Sequence, residues 1–352
     1  MFKKMKIKTT ILFALLFINF CNGQITASEI NGDWILYKTE MKDGSKILPI
    51  TKSDSTYFEI SITNTKLSFN THPIYKTSED WINYSLKENT IITSVESGFQ
   101  IEKKVIDTLI ICEKINGLSD DKLIRYYLVN EKVLFLKELE KRKQEKNIIA
   151  TKLFTPKLNQ KIENEMYKAL KNDMSKINLI GSLTIFPSKK LVTSEISYSN
   201  TKKSSLIEII TNIINNSYNN WDLTNFEKFE SIKIQFTLIS ETIEQCKFIF
   251  IIYLNNNISI FDSSYEKKLE NTKKSNKLFQ KGINAYSEKK HIKAAEFFSE
   301  SYKMNPENLD ALYNKAAAYY EAGDMENACK TWKELVNLGQ TKGIELYKNN
   351  CN

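Results

Sequence analysis

The chain has 352 residues, of which 41% are hydrophobic and 26% are charged. This length exceeds what one hydrophobic core usually serves, which predicts two or three domains, and the composition excludes wholesale disorder. The formal net charge is +8, but four lysines and no acids lie in residues 1–23, so about +4 remains after they are removed. The other lysines are dispersed without clustered arginine, so no nucleic-acid partner is predicted.

The N-terminus has the pattern of a secretory signal peptide over residues 1–23. Lysines precede an apolar run from Ile11 to Phe20, which is too short for a stable membrane span. Cys21 and Gly23 place small residues at the −3 and −1 positions, which predicts cleavage before Gln24. The alternative is lipidation of Cys21, although the residue before it is bulky. We therefore expect a periplasmic or secreted protein without a transmembrane span after cleavage, or an outer-membrane lipoprotein if Cys21 is lipidated.

Residues 24–140 alternate apolar and polar positions between turn signals, which predicts eight short strands, the last at "KVLFLKEL" (132–139). An antiparallel β barrel or sandwich follows from this pattern. The start "INGDWILYK" resembles the lipocalin-like domains of bacterial secreted proteins, in which a Gly-x-Trp motif, here Gly32 and Trp34, plugs one end of the barrel. The resemblance implies a barrel that encloses one small apolar ligand or is filled by its own side chains. The alternative is a buried tryptophan in another β sandwich.

Residues 141–156 are charged and predict a linker or exposed helix. Residues 157–262 then predict a small α+β module, in the order helix, strand, turn at 188–190, strand, helix and strand. In the first of these helices, apolar residues recur every four positions along one face. They are Leu158, Ile162, Met166 and Leu170.

This central module resembles the C-terminal domain of TonB-type energy transducers. The matching positions are Gly181, the Ser188 to Lys190 turn, Trp221 and the strand from Ile232 to Leu238. The resemblance implies an open sheet edge that accepts a partner strand by main-chain pairing. The family's Tyr-Pro, its Asp-Gly hairpin, its uncleaved anchor and its Pro-rich spacer are missing, so a TonB-like coupling protein is an alternative only. A further apolar strand from Cys246 could occupy the edge itself.

Residues 271–352 show a period of 34 in which large, small and aromatic residues recur at matching positions. The first unit has Leu278, Gly282, Tyr286, Ala294, Phe298, Ser301 and Pro306, and the second has Leu312, Ala316, Tyr319, Tyr320, Gly323, Ala328 and Trp332. This pattern resembles tetratricopeptide repeats. Two repeats rarely stand alone, so the tail with Ile344, Leu346 and Tyr347 is predicted to form a capping helix.

The resemblance to tetratricopeptide repeats implies a groove lined by the first helix of each unit. The residues at these positions are Phe279, Ile283, Tyr286, Asp310, Tyr313, Ala317 and Tyr320. This surface is aromatic and lacks the Lys and Asn pair that clamps a terminal carboxylate, so we expect apolar peptide segments as ligands. The alternative is that these aromatic residues pack against the preceding module.

Four cysteines remain after signal cleavage, an even number in an oxidising compartment. Cys329 lies on the second helix of the second unit, and Cys351 lies at the end of the capping helix, which predicts a disulfide between them. It would close a loop of about 22 residues and stabilise the fold by roughly 3 kcal/mol. The alternative is two independent thiols. Cys112 and Cys246 lie in apolar strands and are expected to be buried free thiols.

The chain has only two histidines and no motif typical of zinc, serine-hydrolase or nucleotide sites. Its paired acids lie in predicted turns and charged helices, which favours a solvated surface over a catalytic site. We therefore expect no metal, no cofactor and no enzymatic activity. The sequence predicts an exported, non-catalytic binding or scaffold protein that holds a protein or peptide. The alternatives are a carrier of a small apolar ligand in the barrel and a TonB-like coupling protein.

Overall fold

The computed structural model describes residues 24–48, 57–75, 80–243, 246–255 and 264–351. The predicted signal peptide, with Cys21, lies outside the described residues. An N-terminal antiparallel β barrel-like sheet, a central α+β module and a C-terminal run of helices follow one another along the chain, which confirms the predicted fold class.

Over the described residues, the N-terminal sheet is a nearly closed barrel of nine strands. These are β1 (Gly32–Met41), β2 (Glu59–Ile62), β3 (Lys66–Asn70), β4 (Trp81–Asn83), β5 (Ser85–Lys87), β6 (Thr90–Ile92), β7 (Ser97–Val105), β8 (Thr108–Ile115) and β9 (Ile124–Asn130). They are ordered β4-β3-β2-β1-β9-β8-β7-β6-β5. The two edge strands are separated by Tyr84 alone, whose N–H donates to the Thr65 carbonyl at 2.9 Å and whose hydroxyl donates to the Thr63 carbonyl at 2.7 Å. Tyr84 thus links the two edge strands along the chain and is anchored on the turn between β2 and β3.

Trp34 fills one end of the barrel interior. Its ring is buried, and its indole N–H donates to the carbonyl of Ile30 at 2.8 Å. Ile30 ends the short helix α1 (Ala27–Ile30), and Gly32 between the two has a φ of 131°, which an L side chain rarely adopts. The rest of the interior is filled by alternating aliphatic side chains of the strands. They include Ile60, Ile62, Leu67, Ile101, Leu109, Ile111 and Leu128.

The eighth strand predicted at residues 132–139 is wrong, because these residues form the helix α2 (Glu131–Lys141). Phe135 and Leu139, one turn apart, pack against the core of the central module. The Phe135 ring lies 5.2 Å from that of Phe154 and 5.7 Å from that of Phe226. A short apolar run fits a strand or a helix equally well, and tertiary packing decides here in favour of the helix.

The central module consists of β10 (Asn147–Ile149), β11 (Lys157–Leu158), α3 (Glu163–Leu170), β12 (Ile177–Phe186), β13 (Leu191–Ser199), α4 (Ser204–Asn215), β14 (Trp221–Asp222), β15 (Ser231–Ile243) and β16 (Cys246–Tyr253). The main sheet runs β10-β15-β12-β13, and β16 also pairs with β15. Thus β16 covers part of the outer edge of β15, as the sequence suggested. The predicted apolar face is buried, although Leu158 belongs to β11 and the helix begins only at Glu163.

The predicted linker at residues 141–156 is contradicted. Residues 147–149 form β10, which pairs in parallel with β15, and Ile148 and Phe154 are buried in the core of the central module. The charged residues that suggested a linker are concentrated before this strand. The apolar residues that follow them pack into the core of the central module, which the charged composition of the segment did not indicate.

The C-terminal helices are α5 (Ser264–Ser287), α6 (His291–Met304), α7 (Leu309–Glu321), α8 (Met325–Asn337) and α9 (Thr341–Asn350). Each packs against the next, and the predicted small residues Ala294, Ala316 and Ala328 are fully buried between them. A Cβ at Gly282 would lie 2.5 Å from the ring of Phe298, so only glycine permits this approach of α5 to α6. The predicted capping helix corresponds to α9, whose Leu346 packs against the last helix pair.

The sulfur atoms of Cys329 and Cys351 lie 1.97 Å apart, which is disulfide distance and confirms the predicted proximity. Cys112 is buried, as predicted, and burial raises the pKa of its thiol to about 11. The prediction that Cys246 is buried is wrong. Its side chain projects from the same face of β16 as the exposed Phe248, whereas Lys247 projects from the other face.

We expect the variant Cys329→Ser to lose about 3 kcal/mol of unfolding free energy, because the loop that the bridge closes no longer restricts the unfolded chain. Urea titration with and without a reductant measures this loss. Reductant should reproduce it in the wild type and add nothing in the variant. The control Cys246→Ser, at the exposed free thiol, should match the wild type. Equal stability of Cys329→Ser and wild type under oxidising conditions would contradict the bridge.

Candidate functional site

The first helix pair leaves only part of the predicted groove exposed. Ile283 on α5 is 37% exposed, whereas Phe279 and Tyr286 on the same helix are half-buried. The Phe279 ring lies 5.4 Å from that of Phe298, and the Tyr286 ring lies 5.1 Å from that of His291. Phe279 and Tyr286 therefore join α5 to α6, and Ile283 remains available to a ligand.

Two residues of the second unit face the chain's own β barrel. Asp310 on α7 forms an ion pair with Lys122, whose Nζ lies 2.5 Å from Asp310 Oδ1. Tyr313 is half-buried, and burial, with a contribution from Asp43 and Asp121 of the barrel, raises its pKa to about 12. These charges bring α7 near the barrel, whereas the Tyr313 ring itself packs with the helical core around Leu312. The alternative, that the groove aromatic residues pack against a preceding module, stays a prediction.

Tyr320 lies near the C-terminal end of α7 and is 46% exposed. One side of its ring lies 5.7 Å from the ring of Trp332. Ala317, one turn earlier, is half-buried. Of the predicted groove residues, Tyr320 and Ile283 are thus the large apolar side chains that remain exposed to solvent.

The turn between α8 and α9 is hydrogen-bonded to the loop that follows β1. The N–H of Lys46 donates to the carbonyl of Gly339 at 3.1 Å, and the side-chain amide of Gln340 donates to the carbonyl of Lys46 at 2.9 Å. The N–H of Thr341 donates to Ser45 Oγ at 2.9 Å. Together with the Lys122–Asp310 pair, these bonds attach the helices to the barrel through both main chain and side chains.

Aromatic rings of Phe58, Phe69, Phe99 and Tyr126 form a closed cluster among the barrel side chains. Consecutive ring centroids lie 5.8 to 6.2 Å apart, and all four side chains are partly buried. The Tyr126 hydroxyl donates to Glu113 Oε1 at 2.7 Å. This cluster combines a wide apolar surface with one hydroxyl group that is already hydrogen-bonded.

Charged side chains are buried where the barrel meets the central module. Glu59 of β2 is 2% exposed and accepts a hydrogen bond from the Tyr57 hydroxyl. Lys157 of β11 places its Nζ 3.8 Å from Glu59 Oε2 and 3.4 Å from Oε1 of Glu131, the first residue of α2. One lysine thus joins a barrel strand, the helix α2 and the central module.

Burial and neighbouring charges shift the pKa values of Glu59 and Lys157 in opposite directions. Burial raises the pKa of Glu59, and the nearby Lys157 ammonium only partly offsets it. Burial disfavours the ammonium of Lys157, but the carboxylates of Glu59 and Glu131 outweigh this and raise its pKa. Burial also raises the pKa of Tyr57, so its hydroxyl remains a donor at neutral pH.

The sequence pattern does not predict this cluster. In "TYFEISI" the alternation places Tyr57, Glu59 and Ser61 on the polar face of a strand, which normally faces solvent. The central module covers that face in the structure. The sequence contains no local signal for this contact, because Lys157 lies about a hundred residues away in the chain.

The histidines and acids give no indication of a metal centre. His72 lies beside the Tyr75 ring, and His291 lies beside the Tyr286 ring. Within the described residues, no group of three or more His, Cys, Asp or Glu side chains is arranged to hold a metal ion. Over the same residues, no helix combines the length and the apolar character needed to cross a bilayer.

No family model matches the chain, and no curated protein matches it either. The resemblances to lipocalin-like domains, to the TonB C-terminal domain and to tetratricopeptide repeats therefore remain predictions that rest on the motif residues alone.

We expect Lys157→Met to lose about 3 kcal/mol of unfolding free energy at neutral pH, because Glu59 is left buried beside no cation. The folded state holds the Glu59 proton more tightly than the unfolded chain does, so stability is greatest below the ordinary value of 4.5 and declines as the pH rises through the raised folded pKa. The loss of unfolding free energy in Lys157→Met should therefore be smaller below pH 4.5.

Urea titrations at about pH 8 and about pH 4 measure this difference. The double variant Lys157→Met, Glu59→Gln is the control, because it removes the buried charge together with its partner and should recover most of the stability. A loss that is equal at both pH values, or that persists in the double variant, would contradict the assigned pairing.

Proposed function

We propose that this protein is an exported, non-catalytic scaffold that binds a protein or peptide partner in the cell envelope. The observation that carries the proposal is the exposed apolar surface of Ile283 and Tyr320 on helices whose remaining groove residues are packed internally or against the barrel. The Tyr320 ring contacts Trp332 on one side only, and Ile283 remains 37% exposed. Their exposure favours an apolar segment of a partner as the ligand.

The Cys329–Cys351 pair supports the cellular location in this proposal. Two sulfur atoms at disulfide distance are typical of proteins that mature in an oxidising compartment. The predicted signal peptide indicates the same route. Periplasmic or secreted location, with a lipid anchor at Cys21 as the alternative, is therefore part of the proposal.

The outer edge of β16 offers a second surface to a partner. Within the described residues, β16 pairs only with β15, so the main-chain groups of its other edge have no strand beside them. Phe248 and Phe250 on this strand are exposed, and their rings stack at 6.2 Å. A strand edge without a neighbouring strand, beside exposed aromatic rings, favours addition of an extended peptide.

We expect the double variant Ile283→Ser, Tyr320→Ser to lose the partner, because both exposed apolar anchors of the helical surface are removed. The measurement is quantitative recovery of envelope proteins on immobilised full-length chain, wild type against variant. Ile292→Ser on α6 is the matched control, because Ile292 is a similarly exposed isoleucine that is not among the groove residues. A partner recovered equally by the wild type and the double variant would contradict a role for the groove.

A carrier of a small apolar ligand is the second candidate, and the four-ring cluster of the barrel favours it. Aliphatic side chains fill the interior beside Trp34, so a ligand would have to contact the rings of Phe58, Phe69, Phe99 and Tyr126. These rings offer a wide apolar surface of limited flexibility. The ligand of such a site would be flat or cyclic.

If the barrel is a carrier, native mass spectrometry of the full-length chain should show a bound small molecule. Phe99→Ala should reduce its occupancy by at least half, because it opens the ring cluster. The control is Tyr37→Ala, which removes an exposed aromatic ring of β1. A wild-type mass without any bound molecule, or equal occupancy in Phe99→Ala, would contradict this candidate.

A further inference from the structure

A cleft of about 440 Å³ lies between the outer face of the barrel and the central module. The barrel side contributes Asp33, Ser61 and Trp81, the helix α2 contributes Glu131 and Phe135, and the central module contributes Lys157 among other residues. This volume falls in the range of small-molecule sites, which is about 300 to 1,000 Å³. None of the functional predictions from sequence involved this cleft.

A row of polar residues capped by an indole runs across four barrel strands at the cleft. Strand register aligns Asp33 with Ser61, Ser61 with Ser68 and Ser68 with Trp81, so all four project from the outer face. Ser61 Oγ donates to Asp33 Oδ1 at 2.5 Å. Ser68 Oγ is buried and has no hydrogen-bond partner in the described part of the chain. Ser68 is 1% exposed and lies beneath the cleft surface, between two residues that line the cleft.

On the same outer face of the barrel, the neighbouring row contains Glu59 of the buried charge cluster. Ile35 aligns with Glu59 in the register of β1 with β2, and Lys157 faces Glu59 from the central module. The ammonium of Lys157 is held between Glu59 and Glu131 at 3.8 and 3.4 Å, distances that leave it able to donate a further hydrogen bond. The cleft therefore presents acceptors, charged donors and an aromatic face to the same volume.

The mixed charges of the cleft disfavour anionic, cationic and entirely apolar ligands. Asp33, Glu131 and Asp222 disfavour an anion such as phosphate, and Lys152 and Lys157 disfavour a free cation. The charged walls disfavour an entirely apolar ligand, because their desolvation would go uncompensated. A neutral ligand with many hydroxyl groups uses both the carboxylate acceptors and the ammonium donor without burying a new charge.

We propose that this cleft binds a neutral carbohydrate of one or two sugar rings. The exposed indole of Trp81 covers the C–H face of one ring, and the carboxylates of Asp33 and Glu131 accept hydrogen bonds from its hydroxyls. Lys157 donates to a hydroxyl or ring oxygen while it remains paired with Glu59. Trp81 is 38% exposed on an edge strand, so its flat surface is accessible to a ligand.

The experiment uses the full-length mature chain and an array of neutral glycans with α- and β-linked pyranosides. Hits are titrated as free disaccharides by calorimetry, alongside spermidine and inorganic phosphate. Of the four tryptophans in the sequence, Trp34, Trp221 and Trp332 are buried. Protection of the fluorescence from acrylamide by a bound sugar therefore reports on Trp81.

We expect at least one disaccharide to bind and to protect Trp81 from acrylamide. Trp81→Ala should weaken its affinity about tenfold, the size expected for a lost aromatic contact. Asp33→Asn should also weaken it. Ile82→Ala is the matched control, because Ile82 is the equally exposed neighbour that projects from the other face of β4, and it should bind like the wild type. Three results would each overturn the proposal. These are an array without a neutral glycan hit, undiminished binding by Trp81→Ala, or binding of spermidine or phosphate in place of sugars.

Discussion

The contact that the rest of the molecule depends on is the ion pair between Glu59 of the barrel and Lys157 of the central module. A carboxyl group that is almost fully buried at an interface costs several kcal/mol unless a cation and a hydrogen-bond donor accompany it. Lys157 and Tyr57 meet this requirement only when the two modules are seated against each other. The polar face of β2 therefore specifies how the barrel and the central module are joined. The packing of α2 against Phe154 and the walls of the neighbouring cleft follow from that arrangement.

The C-terminal helices depend on the barrel in a second way. An array of two helix pairs and a cap buries little surface, since each pair stabilises only its neighbours. Here the turn between α8 and α9 is hydrogen-bonded to Ser45 and Lys46, and α7 is ion-paired with Lys122. The barrel thus supplements the Cys329–Cys351 pair in holding a short array in place. The ion pair with Lys122 occupies Asp310, so the surface left for a partner is smaller than the resemblance to tetratricopeptide repeats implies.

The sequence predicts the elements whose patterns are local. The small residues at Gly282, Ala294, Ala316 and Ala328 place the C-terminal helices, and alternation places most barrel strands, because both patterns depend on neighbours in the chain. The failures share a different cause. Residues 132–139 become a helix, residues 147–149 become a strand of the central sheet, and Glu59 becomes buried, all through contacts with distant segments. The candidate sites were predictable only on the helices, because the cleft and the charge cluster form between modules that no local pattern relates.

The two roles of Lys157 also constrain what the cleft can bind. Its ammonium is the counterion of Glu59 and, at the same time, a donor available to the cleft. An anionic ligand would compete with Glu59 for this ammonium, and any weakening of that pair would loosen the interface between the modules. By the same linkage, a loosened interface would weaken the binding of the anionic ligand. A neutral ligand that only accepts a hydrogen bond from Lys157 avoids this competition, since the ammonium has three donors and can keep its contacts with Glu59 and Glu131. The ion pair of Lys157 with Glu59 is thus a reason why the cleft would select neutral, hydroxyl-rich ligands.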